Sequence, residues 1–139
     1  MTEPESAPLD AERILRALGE HGVDYVLIGG LAVQTHGHVR TTNDADLIPA
    51  PDPSNLRRLA DALRSLNATR DGGIDVMHEV PGGRSYEELR EGALLVSLGD
   101  IEVPVVGLDD LIHMKLVRGR PVDLADVAAL TDPEAEENR

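Results

Sequence analysis

The sequence predicts an α/β (α+β) fold, a mixed β-sheet of about four to five strands with helices packed on it. Two observations predict this class. Segments with helical periodicity alternate with short apolar, strand-like runs in the first half of the chain. A hairpin signal, Gly99-Asp100 between two apolar runs, follows in the second half. The length of 139 residues fits one domain. We expect that domain at 10–130, after a disordered lead-in at 1–9 and before an acidic tail at 131–139.

The elements of the first half have recognisable starts and stops. Asp10 can cap the first helix, and Ser54 can cap a later one. Three prolines at 49, 51 and 53 stop the strand before that later helix. The helix that follows Ser54 has apolar residues at helical spacing, namely Leu56, Leu59, Ala60, Leu63 and Leu66. The predicted elements are a helix from 10 to 19 or 22, a strand at 25–28, a helix at 31–36, a strand at 44–48 and a helix from 54.

The second half begins with a predicted strand at 74–80, in which Ile74 and Val76 should face the core. Pro81-Gly82-Gly83 ends that strand. Pro121 fits the first position of the last helix. The remaining predicted elements are a short helical turn at 86–90, hairpin strands at 94–98 and 101–106, and helices at 108–117 and 122–130.

The composition narrows the classes of partner. The chain has 26 acidic and 13 basic side chains, a formal net charge of −13, which opposes attraction to nucleic acid and anionic membranes. The charge is compatible with a cationic small molecule, a basic partner protein or simple solubility. The two tyrosines are the only aromatic residues among Phe, Trp and Tyr, so base stacking is poorly supported. Cysteine is absent, which excludes disulfides and Cys-ligated zinc.

We expect a cytoplasmic location. The sequence has no apolar stretch near the roughly 20 residues of a membrane span. Its first residues are acidic and contain proline, unlike a signal peptide. A small sheet with free edges and a core without aromatics are compatible with a homodimer.

Asp44 and Asp46 form the most informative pattern in the chain. They lie two residues apart in a predicted strand, so both carboxylates point to one face, with Cα atoms roughly 6.5–7 Å apart. A divalent cation relieves their repulsion and accepts oxygen ligands. The preceding Gly29-Gly30 pair, at the end of an apolar strand, offers backbone N–H groups to a phosphate. The pattern favours a site for a nucleoside triphosphate with Mg²⁺, although an exposed polar strand edge is the alternative.

Asp75 is the candidate for a third carboxylate. If its strand neighbours the strand of Asp44 and Asp46, Asp75 can lie across from that pair. Phosphoryl-transfer sites with two metal ions need this arrangement, because a third carboxylate holds an ion or takes the proton of an attacking hydroxyl. The alternative is a residue that simply enters a strand after a turn.

The motifs resemble those of the polymerase-β-like nucleotidyltransferase superfamily, and within it small bacterial enzymes of the AbiEii toxin type. The resemblance covers about residues 10–130 and rests on residues 26–32 (VLIGGLA), His36-Gly37, Arg40, Thr42, 44–47 (DADL), 73–76, 108–115, Gly119-Arg120 and 123–126. It implies a Mg²⁺-dependent transfer of a nucleoside monophosphate from an NTP to a hydroxyl, with release of pyrophosphate.

The resemblance also implies roles for individual residues. Asp44, Asp46 and Asp75 would bind Mg²⁺ and carry catalysis, and Gly29, Gly30, Arg40 and Thr42 would bind the nucleotide. Lys115 would bind phosphate or activate a substrate, with a snorkelling lysine at a helix edge as the alternative. Arg40 and Arg120 could neutralise phosphate or form surface ion pairs. His36 and His38 are expected in a polar loop without a metal role.

The chain departs from the resemblance at two positions, and the identity of the acceptor stays open. The resemblance places a basic residue before Asp44, where this chain has Asn43, and another near Val122. The acceptor implied by the resemblance is a tRNA end or a protein hydroxyl, with a toxin role and an antitoxin protein as partner. The charge of −13 points instead to a cationic acceptor such as an aminoglycoside. The alternative outside enzymes is a non-catalytic nucleotide- or partner-binding module, which Asn43 and Val122 favour.

Overall fold

The computed structural model describes residues 11–37, 45–66 and 74–132. Alternating helices and strands fill these ranges, as the sequence predicts. The helices are α1 (Ala11–Glu20), α2 (Gly29–Thr35), α3 (Pro53–Ser65), α4 (Tyr86–Glu91), α5 (Leu108–Arg118) and α6 (Pro121–Leu130). The strands are β1 (Tyr25–Ile28), β2 (Ala45–Pro49), β3 (Ile74–Val76), β4 (Leu94–Leu98) and β5 (Ile101–Val105). None of the helices in these ranges is long and apolar enough to cross a bilayer.

A five-stranded mixed sheet in the order β3-β2-β1-β5-β4 forms the centre of the fold. The central strand β1 runs antiparallel to β2 and parallel to β5, and all four of its residues are buried. The pair β2–β3 is parallel, and β5 and β4 form the antiparallel hairpin that Gly99-Asp100 predicts. The α+β class and the strand number are therefore confirmed.

The core is mainly aliphatic, but the expectation of a core without aromatic residues is wrong, because Tyr25 of β1 is buried in it at 3% exposure. Helices α1 and α3 pack on each other beside the sheet. One predicted core position of α3 is wrong, because Leu56 is 42% exposed. Asn55 is buried in its place. Its side-chain amide donates to the carbonyl oxygens of Asp24 and Ala50 at 2.9 Å, and its Oδ1 accepts from the Asp24 amide at 2.7 Å. These hydrogen bonds fix the rotation of the helix and turn Leu56 outward.

The edge strands differ most from expectation. Strand β3 ends at Val76 rather than at residue 80, and Val76 is 41% exposed, so its predicted place in the core is wrong. The reason is that β3 pairs with β2 alone at the end of the sheet. At the opposite edge, Leu94 and Leu95 of β4 are exposed. The homodimer stays a prediction.

Candidate active site

A pocket of about 310 Å³ opens where β1 ends and α2 begins. Helix α2 starts at Gly29, two residues before the predicted start, so both glycines lie in its first turn and in the pocket wall. The lining residues come from β1 to β3, the turn after β3, and helices α5 and α6. They are Ile28, Gly29, Gly30, Asp46, Asp75, Met77, Pro81, Leu111, Met114, Lys115, Arg118, Arg120, Val122 and Asp123.

Asp46 and Asp75 meet in this pocket. They are register partners on the parallel strands β2 and β3, and both side chains line the same cavity. Adjacent strands lie about 4.8 Å apart, so the expectation that Asp75 lies across from the first carboxylates is confirmed for Asp46. Asp44, Arg40, Thr42, Asn43 and His38 lie outside the described residues, and their roles stay predictions.

Gly29 allows Asp46 to reach the pocket wall. The backbone at Gly29 has φ +73°, which favours glycine. A Cβ on Gly29 would lie 2.8 Å from both Cβ and Cγ of Asp46, and closer still to Oδ2. The Asp46 side chain therefore occupies the space that any other residue at position 29 would need.

Gly29→Ala should destabilise the fold and displace Asp46. The left-handed backbone costs a non-glycine residue roughly 1–2 kcal/mol, and the steric conflict adds about 1–3 kcal/mol. Gly83→Ala is the matched control, because Gly83 has φ +76° but no atom within 4 Å of its added Cβ. Urea unfolding should show a larger loss for Gly29→Ala than for Gly83→Ala. Equal losses would contradict the packing of Asp46 on Gly29.

Lys115 lies at the base of the pocket in a buried ion-pair cluster. Its side chain is 8% exposed, and Nζ lies 3.1 Å from Asp126 Oδ2 and 3.4 Å from Asp123 Oδ1. Both aspartates are fully buried on α6. The snorkelling alternative is therefore wrong: two carboxylates hold the ammonium group inside the protein. This arrangement compensates the cost of burying three charges.

Arg120 holds the other side of Asp123. Its Nε donates to Asp123 Oδ2 at 2.7 Å, and its terminal NH2 donates to Oδ1 at 3.1 Å. The Arg120 amide also donates to Oδ2 at 3.1 Å, so Asp123 caps the start of α6. Of the two roles predicted for Arg120, the structure shows the ion pair. The residue also lines the pocket.

These contacts make Asp123 a stronger acid. The side-chain hydrogen bonds from Arg120 lower the pKa of Asp123 to about 2, against an ordinary value of 3.8. A carboxyl with a lowered folded-state pKa contributes stability that is present above about pH 4 and is lost as the pH falls towards about 2. We expect the free energy of unfolding to fall over this interval, and to fall less steeply in Asp123→Asn. Urea titrations at several pH values measure both slopes, and parallel slopes would contradict the assignment.

The donor set fits Mg²⁺. Mg²⁺ is commonly bound through one or two carboxylates together with substrate phosphates and waters. Asp46 and Asp75 both line the cavity, and Asp123 is engaged by Arg120 and Lys115. Within the described ranges, no cluster of three or more His, Asp or Glu side chains could hold a metal by itself. Among the described residues, Asp46 and Asp75 are the carboxylates that a magnesium ion at this site could use together with phosphate oxygens, and Asp44 stays a predicted ligand.

Sequence reasoning missed part of this cluster and misplaced His36. The notable signal for Asp123 and Asp126 is that they are the only charged residues of an otherwise apolar helix. His36 was expected in a polar loop, and that is wrong, because it is 6% exposed at the end of α2. Its Nε2 lies 2.9 Å from the carbonyl oxygen of Val106, next to β5. This contact ties the glycine-started helix to the sheet.

Comparison with known proteins identifies a family for this chain. A family model described as a nucleotidyltransferase of unknown function (DUF6036) matches residues 9–131, which is most of the chain. No curated protein matches.

Proposed function

We propose that this chain, which belongs to the DUF6036 family of nucleotidyltransferases of unknown function, transfers a nucleoside monophosphate from an NTP to a hydroxyl acceptor. The single observation that carries the proposal is the register pairing of Asp46 with Asp75 against the glycine wall of one pocket. Among the described residues, three cationic side chains line the same pocket, those of Lys115, Arg118 and Arg120. This combination suits a magnesium-bound triphosphate.

The reaction balances as an in-line displacement. The acceptor oxygen forms a bond to the α-phosphorus, the bond from that phosphorus to the bridging oxygen of the β-phosphate breaks, and pyrophosphate leaves. Asp46 and Asp75, together with Asp44 as the resemblance implies, would hold Mg²⁺, which when bound supplies charge neutralisation at the phosphates. Asp75 is exposed at the pocket and can alternatively accept the proton of the acceptor hydroxyl.

Cations of the pocket would orient the triphosphate. Arg118 and Arg120 line the cavity beside Val122, where the sequence lacks the expected basic residue. Guanidinium groups bind phosphate oxygens well. They can therefore replace the missing charge at position 122. The backbone of Gly29 and Gly30 is proposed to face the triphosphate from the opposite wall.

The motifs of the sequence support a finer form of the proposal. In this form the protein is a cytoplasmic toxin of the AbiEii type, and an antitoxin protein controls it. The residues that support it are the run 26–32 and the DADL motif at 44–47. Its acceptor would be a tRNA end or a protein hydroxyl.

A second candidate is a non-catalytic binding module of the same fold. The observation that favours it is the engagement of Lys115 and Arg120 with Asp123, which reduces the positive charge that a triphosphate would meet. Such a module would bind Mg²⁺–NTP without releasing pyrophosphate.

Two measurements separate the candidates. Thermal unfolding reports binding and is measured with each NTP in the presence of Mg²⁺ or of EDTA. A pyrophosphate assay on the same samples reports turnover. It is run with total tRNA, an aminoglycoside panel, mixed peptides or no acceptor. We expect a Mg²⁺-dependent rise in Tm together with pyrophosphate release. A rise in Tm without pyrophosphate would favour the binding module. No Mg²⁺-dependent effect of any NTP would contradict both candidates.

A further inference from the structure

We propose that Lys115 is a positioning residue of the nucleotide site, which acts on the triphosphate through Asp123 and Arg120 and not by its own contact with phosphate. This role rests on the proposed nucleotidyl transfer, in which Arg120 meets the triphosphate. It gives the buried charges that join α5 to α6 a function in that site. The contacts of four charged side chains carry it, those of Lys115, Arg120, Asp123 and Asp126.

Asp123 fixes the orientation of the Arg120 guanidinium group. Nε and Nη2 of Arg120 donate to the two oxygens of the carboxylate at 2.7 and 3.1 Å. The backbone amide of Arg120 donates to the same carboxylate at 3.1 Å, so backbone and side chain are both tied to it. A guanidinium group has five N–H donors in one rigid plane, and the contact with Asp123 uses two of them. The direction of the other three donors is therefore set by Asp123.

The donors that Asp123 does not use belong to a side chain of the pocket wall. Arg120 lines the cavity, and its side chain is 50% exposed. Hydrogen bonds with Asp123 raise the pKa of Arg120, and the charge of Asp46 contributes to the same rise. The guanidinium group therefore lies in the electrostatic field of the candidate magnesium site. Paired N–H groups at this place suit two oxygens of one phosphate.

Lys115 and Asp126 hold Asp123 from its other side. Nζ of Lys115 lies 3.4 Å from Asp123 Oδ1 and 3.1 Å from Asp126 Oδ2. The side chain of Lys115 is 8% exposed, and those of the two aspartates are at most 1% exposed. Asp126 does not line the pocket. The ammonium group thus links a carboxylate outside the pocket to the carboxylate that orients Arg120.

Direct binding of phosphate by Lys115 conflicts with these contacts. To reach a phosphate, Nζ would have to move away from Asp123 and Asp126, whose buried charges it compensates. Arg120 meets no such conflict, because it can bind phosphate with its remaining donors while it keeps both hydrogen bonds to Asp123. The fixed ammonium group therefore supports the orientation of Arg120, and Arg120 makes the contact.

A double-mutant cycle on Asp126 and Arg120 tests this role. The full chain is titrated by calorimetry with ATP, GTP, CTP and UTP in the presence of Mg²⁺, and pyrophosphate release is measured with the same acceptors as above. Arg120→Gln should raise the Kd of the NTP about tenfold or more, because a charged partner of the phosphate is lost. Asp126→Asn should raise the Kd about fivefold in the original protein and less than about twofold in the Arg120→Gln variant.

Two further variants complete the cycle. Lys115→Gln combined with Asp126→Asn removes one charge of each sign, so the cluster stays neutral if the single variant does not fold. This combination should also raise the Kd only when Arg120 is present. Asp110→Asn is the matched control, because Asp110 lies on α5 in an ion pair with Arg84 at 3.4 Å and does not line the pocket. It should leave the Kd unchanged.

The two possible roles of Lys115 predict opposite results for Asp126→Asn. If Lys115 binds phosphate itself, loss of the Asp126 charge frees the ammonium group, and the Kd should fall or change equally with and without Arg120. Either result, with pyrophosphate release by the original protein, would overturn the positioning role and leave nucleotidyl transfer standing. No pyrophosphate from the original protein with any acceptor would remove the proposed function and the positioning role together.

Discussion

Asp46→Asn should lower the rate of pyrophosphate release by about a thousandfold or more. The substitution removes a carboxylate proposed to bind magnesium, and the charge stabilisation from a metal ion is worth several kcal/mol in the transition state. The amide is nearly isosteric with the carboxylate, so the side chain can keep its place over Gly29. Initial rates with saturating NTP and Mg²⁺ measure the effect.

Stability provides the control for this variant. Asp46 lies in register with Asp75, so removal of one charge relieves repulsion between them. Without Mg²⁺, Asp46→Asn should therefore unfold at the same Tm as the original protein or slightly above it. Asp61→Asn, on the exposed face of α3 in a pair with Arg64, should keep full activity. Undiminished transfer by Asp46→Asn would contradict the site assignment.

Lys115→Met should strongly destabilise the protein. It leaves Asp123 and Asp126 buried without the ammonium group between them. Removing one partner of a buried charge cluster costs about 3–5 kcal/mol. Urea unfolding near neutral pH measures the loss, and Arg118→Met provides a matched control. Arg118 lines the same cavity but is exposed, and an exposed charge contributes about 1 kcal/mol or less.

A second variant separates charge from packing at Lys115. Lys115→Met combined with Asp126→Asn removes one of the stranded carboxylates and should recover part of the lost stability. No recovery would show that the loss comes from packing of the side chain. A single Lys115→Met variant as stable as the original protein would contradict the buried ion-pair cluster.

The sequence predicted the sheet, the position of the glycine pair and the pairing of Asp46 with Asp75 for identifiable reasons. The glycine pair after an apolar run marks the turn from β1 into α2. The alternation of helices and strands predicts the mixed sheet, and the position of Asp75 in the next strand predicts its pairing with Asp46. These signals are local in the sequence. The pairing of neighbouring strands brings the residues that carry them together in the fold.

The cluster on α6 could not be predicted in the same way. Periodicity places the apolar face of a helix inward, yet α6 buries Asp123 and Asp126 and exposes Leu124. Which face of α6 is buried depends on ion pairs with Lys115 and Arg120, residues that precede α6 in the chain and contact it in the fold. The prediction that Leu56 lies in the core is wrong for a similar reason, because the hydrogen bonds of Asn55 determine the rotation of α3 about its axis. The prediction that Val76 faces the core is wrong because β3 is an edge strand of the sheet that the described residues form.

The destination of two labels tests nucleotidyl transfer most directly. The protein is incubated with Mg²⁺ and one NTP, labelled at the α-phosphate in one reaction and at the γ-phosphate in the other, with the panel of acceptors. We predict the α-label in an acceptor and the γ-label in pyrophosphate, both lost in Asp46→Asn. The γ-label in an acceptor, or release of inorganic phosphate without pyrophosphate, would contradict nucleotidyl transfer.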